Sequence, residues 1–358
     1  MTVSPLDVVV FAPLAPIFGV ILFWFIQLLF IESLKYFLSQ IRVKHEALCR
    51  FTNFLGIFFQ TACHALGYTV TKSGISKVHL SVDYGKVAPK KERSGIGEWF
   101  ANAFLFVGPF FIPALLLLFF LPFLMQGGFS FARQSSYTFA ESLIIFGSNL
   151  FTFSSSFFSF LATIDLLHPA HLGFFLLLIV LGLGIRPSYI GKKPRRKVDM
   201  LYDLKNIRYH VLHKPLYLIV LFSGAYLFFY ISLLFQQNWY SILFSVFGWL
   251  SIISIVALII AHVLLLFIKV TDALPWIYKI FCFIMLPFSY IVIRIIFYLY
   301  PLPFITSLSL ALMIAITVVI TLLFYSRFTN TFKTTFLLKS LKNKKKRKDD
   351  GSRRIIRK

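Results

Sequence analysis

Histidine is the residue type here best suited to metal binding and acid–base chemistry, and the first candidate is His64. It lies in an apolar run with the order His64-Ala65-Leu66-Gly67-Tyr68. The zinc-binding H-E-x-x-H motif places two histidines at i and i+4 on one helix face, with the glutamate as general base. Ala65 stands at the glutamate position and Tyr68 at the second histidine position. The stretch alone therefore supports two interpretations, a histidine buried in a helix bundle or a reduced metal site.

A second cluster consists of Asp165, His168 and His171. On one continuous helix these three side chains would share a face. A catalytic zinc site uses three protein ligands, and His64 would be available as a fourth. Because Pro169 lies between the histidines, an irregular turn at the membrane interface is the alternative interpretation. Zinc is the cofactor that the sequence suggests, and the use of no cofactor stays open beside it.

The segment between these clusters alternates apolar and polar residues from Val78 to Gly85. Such alternation predicts a half-buried strand. Because a single strand is not stable alone, we expect a β-hairpin at about residues 74–90. An extended polypeptide could pair with this strand by β-addition. The candidate substrate-binding residues are Val78, Leu80, Val82 and Tyr84.

The elements that must position these residues are apolar helices. Hydrophobic residues make up 58% of the chain and charged residues only 14%, whereas soluble domains have about 25% charged residues. Several apolar runs exceed the ~18 residues that mark a transmembrane helix. The composition predicts an all-α polytopic membrane protein of about 7–9 spans and excludes a soluble enzyme.

The segment 51–70 is less apolar than the other runs. Asn53, Gln60, His64 and Gly67 are spaced so that they lie on one stripe of a helix. A polar stripe in an apolar helix faces protein or water rather than lipid. We therefore expect this helix to pack its polar stripe against other parts of the protein.

The net charge of +23 is concentrated in loops and in the C-terminal tail. Lysine and arginine accumulate on the cytoplasmic side of membrane proteins, which predicts a cytosolic C-terminus. The tail could also contact anionic lipid or RNA. The candidate contact residues are Lys344, Lys345, Lys346, Arg347 and Lys348.

The same patterns divide the chain into five parts. The predicted parts are an N-terminal span with an amphipathic cytosolic segment (1–50), a membrane core with the β element (51–187), a basic cytosolic loop (188–214), a four-helix transmembrane bundle (215–326) and a disordered cationic tail (327–358).

Four features occur in the order of a known family. They are His64 and Gly67 in H-x-x-G spacing, the predicted hairpin, the Gly108-Pro109 break and the later Asp165. With these features, residues about 50–187 resemble the site-2 protease family of intramembrane zinc metalloproteases. The resemblance implies that the aspartate is the third zinc ligand and that the β element guides the substrate.

This chain departs from the family at Ala65 and Tyr68, and Leu166 stands where the family has a glycine after the aspartate. Without a general base, the rate of peptide-bond hydrolysis is expected to fall about 10²–10⁴-fold. We therefore expect a pseudo-protease that binds hydrophobic or membrane polypeptides without cutting them, in an assembly, regulatory or chaperone-like role. One alternative is an active zinc metalloprotease that uses His64, Asp165 and one of His168 and His171. The other is a transporter or channel.

Overall fold

The computed structural model describes residues 6–82, 85–91, 95–125, 127–131, 138–185, 205, 208, 215–299 and 304–328. Most of these residues are helical, and the helices are α1 (Leu14–Ile41), α2 (Glu46–Val70), α3 (Ile96–Leu124), α4 (Phe139–Ala162), α5 (Pro169–Gly184), α6 (Pro215–Leu234), α7 (Trp239–Thr271), α8 (Trp276–Leu299) and α9 (Ile305–Phe328). A π-helical turn, Asp7–Phe11, precedes α1. The strands β1 (Ile75–Leu80) and β2 (Gly85–Pro89) form a two-stranded antiparallel sheet.

Six of the described helices are long and apolar enough to cross a membrane, namely α1, α4, α6, α7, α8 and α9. The apolar part of α3 that the structure describes, Phe110–Leu124, and helix α5 are shorter. The protein is an all-α polytopic membrane protein with a small β-hairpin, which confirms the fold class expected from the sequence. The number of spans, expected to be about 7–9, stays a prediction.

Helix α1 continues beyond the charged pair Glu32 and Lys35, where the sequence indicated a change to an amphipathic segment. The ammonium Nζ of Lys35 lies 2.7 Å from Oε1 of Glu32. Because the two charges neutralise each other on the helix surface, they do not end the helix. The helix ends at Ile41, and α2 begins at Glu46 after a short turn.

Helix α4 begins with a capping box. The Thr138 hydroxyl accepts a hydrogen bond from the backbone N–H of Glu141, and the Glu141 carboxylate accepts one from the backbone N–H of Thr138. Asp7 Oδ1 accepts a further bond from the Phe139 N–H. These bonds satisfy backbone donors that have no partner within the helix. The acid at position 141 therefore has a structural role at a helix end.

By their contacts the residues divide into two compact units, 1–265 and 266–358. The five-part division expected from the sequence stays a prediction. In the first unit, α7 hydrogen-bonds to two neighbouring helices. Ser254 donates to the Phe110 carbonyl of α3, and Asn149 of α4 donates to Ser245. The Trp249 indole N–H donates to the Asn149 carbonyl. Such bonds join helices where the apolar surroundings supply no other partner.

In the second unit, α8 packs against α9 through aromatic side chains. The Tyr278 ring lies 4.9 Å from that of Phe324 and 4.8 Å from that of Phe328. Lys279 at the start of α8 forms an ion pair with Asp272. This pair neutralises a lysine that would otherwise have to reach the membrane surface to stay hydrated.

Candidate functional site

Helix α2 is the element against which the rest of the candidate site packs. It contacts α3, α5 and both strands. Two glycines make the close approaches possible. A Cβ added at Gly108 of α3 would lie 3.0 Å from Cys63 Sγ, and one added at Gly184 of α5 would lie 2.7 Å from Leu55 Cβ. Small residues at these crossings let the helix backbones come close together.

The polar stripe of α2 faces protein, as the sequence indicated. Asn53 is only 3% exposed, Gly67 is buried, and Gln60 and His64 are half-buried. Asn53 Nδ2 donates a 2.7 Å hydrogen bond to the carbonyl of Val82 at the tip of the hairpin. The stripe is therefore one of the attachments that hold the hairpin on α2.

The two strands pair in a register that puts Val78 opposite Val87 and Leu80 opposite Gly85. Directly opposed residues of an antiparallel pair project to the same face of the sheet. The pairing is irregular between Ile75 and Lys77, where β1 carries one extra residue. Val78, Leu80, Gly85 and Val87 therefore project to one face of the hairpin. Gly85 on this face lies against α2.

Strand β2 is anchored on α2. A Cβ added at Gly85 would lie 2.1 Å from Thr61 Oγ1 and 2.9 Å from Ile57 Cγ2, so only glycine fits there without a shift. Val87, two residues further along, is 8% exposed. The start of β2 therefore lies close to the surface of α2, and this strand carries the one buried residue of the two strands, Val87.

Strand β1 is exposed over all six residues. Val78 is 57% exposed, and Ile75 and Leu80 are each 38% exposed. The half-buried strand expected at this position is thus wrong for β1: α2 contacts both strands, but the buried residue among the described residues of the hairpin strands, Val87, lies on β2. Among the described residues, β1 pairs with β2 alone, so its second edge has no neighbouring strand.

His64 is half-buried in the C-terminal half of α2. Its Nδ1 atom is buried and has no hydrogen-bond partner among the described residues. Its ring centroid lies 6.4 Å from that of Tyr68 on the next turn. Tyr68 thus lies beside the imidazole, at the position where the metal motif would have a second histidine.

Asp165, His168 and His171 lie together, but they do not share one helix as the spacing alone suggested. Helix α5 begins at Pro169, so the first two residues precede it. Asp165 Oδ1 accepts from the Leu167 N–H, and His171 Nδ1 accepts from the Asp165 N–H. The two imidazole rings are 4.7 Å apart. Partial burial lowers the pKa of His171, His168 lowers it further, and Asp165 opposes the change.

The four candidate zinc ligands do not form a common site. In the part of the chain that the structure describes, no group of three or more His, Cys, Asp or Glu side chains is arranged to hold a metal ion. His171 Nδ1 is already engaged by the backbone of Asp165. Zinc binding stays a prediction of the sequence alone.

An open groove of about 850 Å³ lies at the start of α2, beside the hairpin tip. Its lining consists of Glu46, Ala47, Arg50, Phe51, Phe54 and Val82. Of these residues only Val82 was a candidate from the sequence. The sequence does contain a signal for the other lining residues. A glutamate and an arginine stand at i and i+4, and two phenylalanines follow them.

Some candidate residues lie outside the described part of the chain. They are Tyr84 and the tail residues Lys344, Lys345, Lys346, Arg347 and Lys348. Comparison of the chain with protein-family models, with curated proteins and with solved structures gives no match.

Proposed function

We propose that this protein binds extended, apolar segments of membrane polypeptides by strand addition at β1, and that it does not cut them. The observation that carries this proposal is an exposed strand whose second edge has no neighbouring strand among the described residues. Soluble and membrane proteins alike normally cover such an edge, because its backbone groups pair readily with another chain. An edge left open on a firmly attached hairpin is suited to receive a polypeptide.

The side chains of β1 fit an apolar partner. Ile75, Val78 and Leu80 are exposed, and Val78 and Leu80 project to the hairpin face that lies on α2. Backbone pairing would supply affinity that does not depend on sequence, and these apolar side chains would select for apolar residues at alternate positions. The partner class is therefore a hydrophobic membrane polypeptide in extended form.

The absence of cutting is proposed from the residues around His64. Ala65 and Tyr68 occupy the positions of the general base and of the second histidine in the site-2 protease family, which residues about 50–187 resemble. An alanine methyl group cannot act as the general base, and a tyrosine hydroxyl is not among the usual zinc ligands. The protein would then retain binding of the polypeptide while lacking the hydrolytic step.

The test uses the purified full-length protein in detergent and a labelled peptide of alternating valine and threonine. Val78→Lys and Leu80→Lys place charges on β1 and are expected to abolish binding. Val43→Lys is the matched control, because Val43 is 94% exposed in the turn between α1 and α2. An N-methylated form of the peptide, which cannot donate backbone hydrogen bonds, is expected not to bind.

Mass analysis of the peptide after incubation with added zinc tests the second half of the proposal. An intact peptide is expected for the wild type and for His64→Ala. Cleavage by the wild type that is lost in His64→Ala would establish a protease instead. Equal binding of the normal and N-methylated peptides would overturn strand addition.

We also propose that the C-terminus lies in the cytosol, where its cationic residues face anionic lipid headgroups or RNA. The support is the positive charge of the tail. The three native cysteines are buried, so a Ser352→Cys variant adds the thiol that the reagent is intended to label. Labelling by an impermeant maleimide only after the cells are permeabilised is expected, and labelling of intact cells would reverse the orientation.

A further inference from the structure

The groove at the start of α2 combines an apolar floor with two charged residues. Phe51, Phe54 and Val82 supply the apolar surface, and Glu46 and Arg50 supply the charges. Its volume of about 850 Å³ falls within the range of about 300–1,000 Å³ that is usual for small-molecule sites. The groove is therefore large enough for a ligand that has both an apolar and a charged part.

The two charges of the groove are not paired with each other. Glutamate and arginine at i and i+4 on a helix ordinarily form an ion pair. Here neither Glu46 nor Arg50 makes an ion pair or side-chain hydrogen bond with any residue that the structure describes. Both are exposed and line the same groove. The Cβ atoms of such an i, i+4 pair are about 6 Å apart, so one carboxylate and one guanidinium face the groove close enough together to bind a single ligand that carries a positive and a negative charge.

The groove lies near the end of a candidate membrane span. Helix α1 is one of the candidate membrane spans, and it ends at Ile41. The Cys49 thiol, next to Arg50 in the chain, donates to the Leu38 carbonyl near that end. Arg42 and Lys44 follow directly. The charged residues of the groove therefore lie beside the end of a candidate span, where we infer that lipid headgroups lie, and the phenylalanines follow along α2.

We propose that this groove binds one phospholipid whose headgroup carries a primary ammonium, such as a phosphatidylethanolamine. Arg50 donates to the phosphate, Glu46 accepts from the ammonium, and an acyl chain lies against Phe51, Phe54 and Val82. The headgroup has its phosphate and ammonium two carbons apart, so one headgroup can contact two side chains that are neighbours on one helical turn. This site is separate from strand addition at β1 and does not depend on it.

The test measures lipid retention by native mass spectrometry of the delipidated full-length protein. The protein is mixed with equal amounts of phosphatidylethanolamine, phosphatidylcholine and phosphatidylglycerol. The wild type is expected to retain the ethanolamine lipid about two- to fivefold more than either competitor, the ratio expected of exposed charge pairs. Choline has the same charge but no N–H donor, and glycerol has no ammonium.

Two substitutions separate the roles of the charges. Glu46→Gln is expected to remove the preference for the ethanolamine lipid, and Arg50→Gln is expected to lower retention of all three lipids. Lys91→Gln, at an exposed lysine next to the end of β2, is the control and is expected to change nothing. Equal retention of the three lipids by the wild type, or an unchanged preference in Glu46→Gln, would overturn the proposal.

Discussion

The two strands of the hairpin have the same length to within one residue and opposite surroundings. Strand β2 lies on α2 through Gly85 and Val87, whereas β1 is exposed at every residue. The two strands are joined by a regular antiparallel register over most of their length. One strand therefore attaches the hairpin to α2, and the other presents the edge at which we propose that a polypeptide binds. With this arrangement the proposed binding strand would stay exposed while β2 holds the hairpin in place.

The largest expected effect comes from a charge placed on the anchoring strand. Val87→Lys removes a buried valine and places an ammonium against α2, which we expect to cost at least about 2 kcal/mol of the free energy of unfolding. Thermal unfolding in detergent, followed by circular dichroism, measures this loss. An unchanged unfolding midpoint would show that β2 is not anchored through this residue.

A smaller loss is expected when the close contact at the start of β2 is crowded. Gly85→Ala would bring a Cβ to 2.1 Å from Thr61 Oγ1, and overpacking of this kind costs about 1–3 kcal/mol. Gly147→Ala in α4 is the matched control, because no atom lies within 4 Å of the added Cβ there. Equal stability of the two variants would mean that the Thr61 side chain moves away from the added Cβ at little cost in free energy.

The hydrogen bond at the hairpin tip has a third, more modest effect. Asn53→Ala removes the donor to the Val82 carbonyl, and we expect a loss of about 0.5–1.5 kcal/mol. Hydrogen exchange of the hairpin amides should become faster while that of α7 stays unchanged. If the exchange of both regions rises together, the bond stabilises the whole first unit rather than the hairpin.

The smallest effect on stability is expected at the residue opposite Val87 in the register. Val78→Lys lies on the exposed strand, and a surface substitution of this kind changes stability by less than about 0.5 kcal/mol. The same variant is expected to lose peptide binding. A large loss of stability in Val78→Lys would remove the difference between the two strands on which the proposed function depends.

Much of the fold could be predicted because it follows from local patterns. The runs about 215–235, 240–268, 275–299 and 302–325 are continuous apolar segments, and the helices α6 to α9 follow them closely. A β-hairpin was expected at about 74–90, built on one strand from Val78 to Gly85; the strands lie at Ile75–Leu80 and Gly85–Pro89, so the connection between them falls within that alternating stretch. Segment length and periodicity act over neighbouring residues, so the sequence displays them directly.

The surroundings of the candidate site could not be predicted in the same way. Which strand is buried depends on the contact of Gly85 with Thr61, two residues that are distant in the chain. Similarly, Asp165 and His171 are spaced like metal ligands, but a hydrogen-bonded turn before α5 engages the His171 ring. Both outcomes are set by tertiary packing, which the spacing of residue types does not reveal.

The measurement that tests strand addition most directly is hydrogen exchange of the full-length protein with and without the valine–threonine peptide. Pairing of the peptide with the open edge should slow exchange of amides in β1, with little change in β2, which is already paired and packed on α2. Protection in β1 that is absent with the N-methylated peptide is the predicted result. If the peptide binds while the exchange of the β1 amides stays unchanged, strand addition at β1 is contradicted.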